Sequence, residues 1–318
     1  MNDSTVNFKE DKHTWDDFVV RSPQRSIFVF SKFLDSLLAP YDLVTCYEKG
    51  RIVAGAVVMR EESGAPVVAQ YPLTQYQGIL LADNTSQATH SQITHEYKIV
   101  EYFVGELLSH YGKACFCQSW RFRDMRPFQW HNYHEPSRGR FRIDVRYTGI
   151  LDTTRYAGFD DYLASVRAVR RQEFRKSSRS LVLTTTDDEG ILDALHAKTF
   201  GRQDMERPAR EAALVRSISA HALAGNYGKL CCAMVGDIPA SAVLFLYDDR
   251  TAYYMFGAND PAYRNTSAGT LALMNMIKEA FEAGLTEIDF VGVNSPNRGD
   301  YKISFNADIK PHFVATFG

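Results

Sequence analysis

Along this chain, short runs of alternating apolar residues take turns with longer stretches whose apolar positions fall three or four apart. Near the start, Trp15, Phe18, Val19, Ile27 and Phe28 lead into a short predicted helix, SKFLDSLL. LVTCYEK and IVAGAVVM then read as two strands joined at Gly50, and VVAQYPLTQYQGILL as a third. Ile93, Tyr97, Val100, Val104, Leu107 and Leu108 repeat at helical spacing, predicting a helix of about twenty residues that Gly112 terminates. KACFCQSW is the next strand. Farther on come a basic helix, DYLASVRAVRRQEFRKSSRS, a strand LVLTTT, and two helices, ILDALHAKTFGRQ and AALVRSISAHALA. Strands LCCAMVG, AVLFLYD and TAYYMFGAN follow, then a polar loop, the helix TLALMNMIKEAFEAG and the strand TEIDFVGV. Strands alternating with helices over this length predict an α/β chain with mixed sheets.

One phrase occurs twice. Residues 50–57 read GRIVAGAV and residues 236–243 read GDIPASAV, identical at five of eight positions. A glycine followed by alternating small and branched residues is a hairpin signature, in which the glycine supplies φ > 0. Each copy opens a similar run of strand, long helix and strand. The expectation is therefore two related lobes, residues 1–155 and 156–318. No flexible linker or low-complexity segment separates them.

Composition narrows the class. The chain has 318 residues, 45% hydrophobic and 23% charged, enough to bury a sizeable core. A formal net charge of -2 argues against bulk nucleic acid as the main partner. No apolar run approaches a membrane span, and MNDSTVNFKEDKHTWDDF lacks the apolar core of a signal peptide, so a cytoplasmic protein is expected. The five cysteines, Cys46, Cys115, Cys117, Cys231 and Cys232, form no CxxC pair and read as buried reduced thiols. His131 and His134 lie beside Glu135, but HNYHEP ends in proline and reads as a loop, so no metal site is expected.

The candidate chemistry concentrates in residues 252–292. The aromatic strand AYYMFG runs into PAYRNTSAGT and directly into an amphipathic helix. Arg264, Asn265, Thr266, Ser267, Ala268 and Gly269 lead to Thr270 in the N-cap region. Such a loop exposes backbone N–H groups, and the helix dipole adds positive potential; together they suit a pyrophosphate. An ordinary capped helix start is the alternative. Asp289 interrupts an otherwise apolar strand, where burial raises a carboxyl pKa. It reads either as a general base or as a structural carboxylate bonded to backbone or Lys302. Residues 294–300, NSPNRGD, read as a turn-rich loop at a strand end, where ligands commonly lie in α/β sheets.

The order helix, helix, hairpin, strand, small-residue loop, helix, strand resembles the GNAT acyltransferase superfamily. There, a loop of the form Arg/Gln-x-x-Gly-x-Gly/Ala holds the pyrophosphate of coenzyme A. The matching positions are Arg264, Ser267 and Gly269, with serine in place of the middle glycine. SPQRSIF, YPLTQYQGIL, RDMRPFQW, RYTGILD, VRRQEFRK and IDFVGVNSPNRGDYKISF, in this order and spacing, resemble the tandem-GNAT, FemAB-like group over nearly the whole chain. Within that group the likeness is to bacterial sugar N-acyltransferases that act on a dTDP-linked amino sugar. The resemblance implies two GNAT-like lobes packed side by side by tandem duplication, with acyl-CoA as the donor substrate. It also implies transfer of an acetyl or short hydroxyacyl group, such as 3-hydroxybutyryl, to the sugar amine. Attack would be direct, in a ternary complex, and the product would serve cell-envelope polysaccharide such as lipopolysaccharide O-antigen or capsule. The connection after the first-lobe strand, ADNTSQATHS, has neither glycine nor arginine, so that lobe is expected to wall the acceptor while one active site lies between the lobes.

Transfer from a thioester to an amine needs an unprotonated amine, a stabilised carbonyl oxygen and protonation of the leaving thiolate. Asp289 is the candidate base, with Tyr254 and Tyr301 as candidate acids; Tyr253 must face the other side of its strand. In the family, the strand at Met255, Phe256 and Gly257 presents the backbone N–H that polarises the thioester carbonyl, and Asn294 is a further donor-binding candidate. For the acceptor, Tyr71, Tyr76, Gln77, Trp120, Asp124, Arg126 and Trp130 are candidates to meet a base and sugar. Arg170 is a candidate dock for diphosphate, joined by Thr199, Arg202, Gln203, Arg298 and Lys302. The expected partners are thus small molecules rather than nucleic acid or membrane. Two other functions stay open: a Fem-type ligase taking an amino acid from aminoacyl-tRNA to a peptidoglycan precursor, and a non-catalytic binding protein with a GNAT fold. The lack of a long heptad arm and the charge balance weigh against the ligase.

Overall fold

The structure, a computed structural model, describes residues 4–83, 89–201 and 207–318, and their side chains except at positions 200, 201 and 297. It divides into two compact units, residues 1–146 with 311–318, and residues 147–310. Unit 1 carries β1 (Ser4–Asn7), α1 (Lys12–Arg21), α2 (Ser31–Leu34), β2 (Tyr41–Glu48), β3 (Arg51–Met59), β4 (Ile79–Leu81), α3 (Thr89–Tyr111), β5 (Ala114–Cys117) and α4 (Arg126–Gln129). There follow β6 (Arg142–Asp152), α5 (Phe159–Ser165), α6 (Ala168–Ser177), β7 (Val182–Thr186), α7 (Glu189–Gly201), α8 (Ala209–Ala224), β8 (Gly228–Val235), β9 (Ile238–Tyr247), β10 (Thr251–Asn259), α9 (Ala268–Glu282), β11 (Glu287–Asp289) and α10 (Pro296–Ile303). The last strand is β12 (Asp308–Phe317). No helix among the described residues is long and apolar enough to cross a membrane.

In unit 1, β1, β2, β3 and β4 form an antiparallel sheet in sequence order. β5 stands apart from that sheet and pairs antiparallel with residues 314–317 of β12. The Asp11 carboxylate caps α1 by accepting from the Thr14 N–H at 2.9 Å. α3 buries Ile99, Val100, Phe103, Val104 and Leu107 against the sheet, so only its last turns form the predicted stripe. Ile93 is exposed. Gly112 ends the helix as expected, at φ 73° with its N–H on the Leu108 carbonyl.

Unit 2 has the strand order β6-β11-β10-β9-β8-β7, with β10 and β11 parallel and the other registered pairs antiparallel. α9 lies on β8, β9 and β10 and buries Leu271, Leu273, Met274, Met276 and Ile277. Each such side chain contributes roughly 1.5–3 kcal/mol, which fixes the loop entering α9 firmly against the sheet.

Four expectations need correction. The basic helix breaks into α5 and α6 at Val166 and Arg167, because Val166 turns into the core in extended conformation. The strand expected over TEIDFVGV stops at Asp289, where Val291 and Gly292 turn left-handed. Residues 294–300 are not a free loop: Pro296 opens α10 at a position where a missing N–H has no cost. The third unit-1 strand contracts to β4, with Leu73 and Tyr76 left-handed in the loop before it.

The repeated phrase marks a real structural repeat, but out of register. Both hairpins slip by one residue near the turn, between Cys46 and Tyr47 and between Ala233 and Met234. Cys46 opposes Ala54 and Ala233 opposes Ser241, so the hairpins superimpose with an offset one larger than the sequence echo. Gly50 is accordingly the second residue of its turn, after left-handed Lys49, whereas Gly236 is the first.

Candidate functional site

In unit 2, β10 and β11 pair through Thr251–Glu287, Ala252–Ile288 and Tyr253–Asp289, and then part. β10 continues to Asn259 beside β9 alone, and its register shifts between Tyr254 and Phe256, leaving Met255 without an opposite residue. The opening between parallel strands is therefore built from Tyr254, Met255 and Phe256 on one side and the chain after Asp289 on the other.

Tyr254 faces away from Tyr253, whose hydroxyl donates to Asp248 at 2.7 Å. Burial raises the Tyr254 phenol, so it stays a proton donor across the ordinary pH range. Its hydroxyl lies along the backbone at Gly257, where a Cβ would come within 2.0 Å of it. Glycine at 257 is thus required by the tyrosine. Lys302 Nζ sits 5.4 Å from the Tyr254 ring and donates to the carbonyls of Val291 at 2.6 Å and Gly292 at 3.0 Å. Burial holds its ammonium down at about 8, opposed by the Asp289 charge.

Asp289 is buried, at 1% exposure. Its Oδ1 accepts from the Thr148 hydroxyl at 2.6 Å and from the Val291 N–H at 2.8 Å. Tyr301, raised to about 12 chiefly by burial, lies under the Arg170 guanidinium at 4.8 Å. Asn294 uses its side-chain amide as a strand edge, accepting from Tyr147 N–H at 2.8 Å and donating to Tyr147 carbonyl at 3.0 Å.

The loop before α9 has the features of an anion cradle. Ser267 is left-handed at φ 60°, a conformation that glycine adopts most readily, and its side chain makes no capping bond. The first N–H groups of a 15-residue helix are thereby left uncapped by it. Arg264 and Asn265 are exposed; Thr266 bonds back to the Tyr263 carbonyl at 2.6 Å. Ala268 and Thr270 are buried, and Gly269 abuts Asn259.

Several acceptor candidates are placed otherwise than expected. Arg170 is not an open dock: it pairs with Glu173, donates to Ser304 at 3.0 Å and reaches Thr270 at 3.3 Å. The Glu173 carboxylate also accepts from the Thr270 hydroxyl at 2.8 Å, tying α6 to the start of α9. Thr199 bonds to the Leu195 carbonyl at 3.1 Å within α7. Arg298 is exposed and makes no ion pair among the described residues. Arg202 and Gln203 lie outside the described residues. In unit 1, Tyr71, Tyr76 and Gln77 are core residues. Asp124 and Arg126 form an ion pair at 2.6 Å, and Arg126 lies over exposed Trp130 at 5.4 Å. Trp120 lies under Arg121 at 4.2 Å.

Two residues escaped the sequence reading. Glu173 stands three after Arg170 in a helix, a legible pairing signal. Thr148 gave none, because its partner is 141 positions away.

Residues 164–302 match the acetyltransferase (GNAT) domain family. That match lies within the second unit, which is similar to the GNAT domain over those residues. No curated protein matches the sequence. Among solved structures, FemX aligns over 97% of this chain and 96% of its own at TM-score 0.66 and 13% identity. A conserved protein of unknown function from Bacteroides thetaiotaomicron aligns over 99% and 100%, at TM-score 0.58 and 11% identity. A tandem GNAT protein from the clavulanic acid biosynthesis pathway aligns over 99% and 98%, at TM-score 0.52 and 13% identity. At these identities the likeness is one of fold: α/β, with tandem GNAT-like units.

Proposed function

We propose that this protein is an N-acyltransferase that carries acyl-CoA in unit 2 and passes the acyl group to the amine of a nucleotide-linked amino sugar. The parting of β10 and β11 at Tyr254 carries the proposal, because β10 loses its parallel partner beside unpaired Met255, where a thin acyl-thioester arm would lie along the strand. The uncapped start of α9 and exposed Arg264 would take the pyrophosphate. The Met255 N–H would meet the thioester oxygen as it gains charge. Tyr254, kept protonated by burial, would give its proton to the leaving thiolate, with Tyr301 and Lys302 completing the wall. Arg298, exposed and outside any ion pair among the described residues, is available to the acceptor's phosphates. A dTDP-linked amino sugar is the specific acceptor.

The test is release of free thiol from acetyl-CoA and 3-hydroxybutyryl-CoA with a panel of dTDP-amino sugars. Turnover requiring both substrates supports the reading. One observation favours a second: Glu173 places a carboxylate on Thr270, in the first turn of α9 where a pyrophosphate would lie. Aminoacyl-tRNA as donor avoids that encounter. Transfer from aminoacyl-tRNA with none from acyl-CoA would select this Fem-type reading; binding without turnover of either donor would leave a non-catalytic role.

A further inference from the structure

The end of β11 holds a backbone conformation that its sequence does not favour. Val291 sits at φ 48° and Gly292 at φ 69°, so two left-handed residues follow one position after the strand ends at Asp289. A β-branched residue there is an outlier that persists only where its surroundings over-determine it. Here all four polar groups of the two residues are held. The Val291 N–H goes to Asp289 Oδ1 at 2.8 Å and the Gly292 N–H to the Thr148 hydroxyl at 3.3 Å. Both carbonyls accept from Lys302, at 2.6 and 3.0 Å. The Thr148 hydroxyl in turn donates to the same Asp289 oxygen at 2.6 Å, so the clamps are linked. On either side, Phe290 N–H bonds to Gly149 and Val293 N–H to Tyr147, which fixes the ends of the turn on β6.

We propose that Asp289, Thr148 and Lys302 are positioning residues, a linked clamp that holds Val291 and Gly292 left-handed and so fixes one wall of the opening between β10 and β11. The proposal rests on reading that opening as the acyl-transfer site. It assigns Asp289 geometric work in place of proton transfer: Oδ1 already accepts two hydrogen bonds, one from the Thr148 hydroxyl and one from the N–H of Val291, which it holds.

A clamp and a base respond differently to substitution. Asp289→Asn keeps an oxygen that can accept both bonds but cannot act as a base, whereas Asp289→Ala keeps neither property. Val291→Gly removes the backbone penalty and lessens the need for a clamp. Amide hydrogen exchange at Val291 and Gly292 would be measured in the full-length protein for wild type, D289N, D289A, T148V and D289A/V291G. The turnover assay above would be run on the same samples.

D289A is expected to speed exchange at these amides about 100-fold, T148V about tenfold and D289N less than about threefold. Turnover should follow the same order, falling about 100-fold in kcat for D289A with KM nearly unchanged, and D289A/V291G should recover about tenfold. Equal loss of turnover in D289N and D289A overturns the clamp in favour of a base. Unchanged exchange in D289A and T148V overturns it whatever turnover does. T148V removes only a hydroxyl, so it carries the exchange test if D289A fails to fold. If wild type shows no acyl-CoA turnover, the exchange result still decides the clamp, and only the acyl-transfer reading falls.

Discussion

The chain makes the same choice of strands twice and finishes it in two ways. In unit 1, β4 and β5 are not registered partners, and the residue after β5 is Gln118, wholly buried. Its side-chain oxygen accepts from the Ile79 N–H of β4 at 3.0 Å, and Gly78 packs onto its backbone. One amide therefore bridges the two strands. In unit 2 the residue after β11 is Phe290, which turns into the core, while its N–H is taken by Gly149 of β6. Its ring meets the Tyr254 ring edge-on, 6.3 Å between centroids, but offers no hydrogen bond to the β10 backbone, and beyond it the chain turns left-handed at Val291 and Gly292. At the position after the strand, an amide joins parted strands by a hydrogen bond, whereas a phenyl ring gives only an edge contact.

The largest expected effect concerns unit 2. Gly257→Ala puts a Cβ 2.0 Å from the Tyr254 hydroxyl. Displacing that group should lower turnover about 100-fold while far-UV circular dichroism stays native. Unchanged turnover would remove Tyr254 from the chemistry.

Breaking the stitch in unit 1 is next. Gln118→Ala leaves the buried Ile79 N–H without its acceptor and should cost about 1–3 kcal/mol in urea unfolding. A neutral effect would show that water replaces the side chain and that the amide is not what joins these strands.

A smaller gain is expected at the loop entering α9. Ser267 bears the left-handed strain that glycine relieves, so Ser267→Gly should stabilise the protein by about 1 kcal/mol, read as a raised Tm. CoA affinity should hold or improve; lost affinity would mean that the hydroxyl itself contacts the donor.

The finest test is the pH response of Lys302. Its folded pKa of about 8 lies below the ordinary value of 10.5, so the folded protein releases this proton first. Its contribution to stability is therefore least favourable below pH 8 and improves as pH rises toward 10.5. NMR of the lysine side chain should give a midpoint near 8, and Lys302→Met should remove that part of the pH slope. A midpoint near 10.5 would show the ammonium to be well solvated.

How far the sequence was legible depends on the range of the interaction involved. Strand β10 and helices α7, α8 and α9 lie close to where periodicity put them, because alternation and helical spacing are local. The small-residue loop at Arg264, Ser267 and Gly269 was visible for the same reason. For Arg170, the candidate dock for diphosphate, the pairing with Glu173 was local and legible, whereas the bonds to Ser304 and Thr270 far along the chain were not. The burial of Tyr71, Tyr76 and Gln77 was not legible, because aromatic and amide residues look alike in a core and on a surface. The doubled phrase pointed to two similar units, yet its glycines occupy different turn positions. Hairpin chemistry repeats more readily than register does.

What the sequence determined by itself was the menu of elements, the duplicated plan and the small-residue loop before α9, all set by patterns within one or two turns of chain. The tertiary structure decided where an amide bridges parted strands and what Asp289 bonds to. Both depend on contacts that no local pattern encodes: Gln118 reaching Ile79, and Thr148 reaching Asp289 across 141 positions. A buried N–H or carboxylate must find a partner somewhere. Only the folded chain shows where.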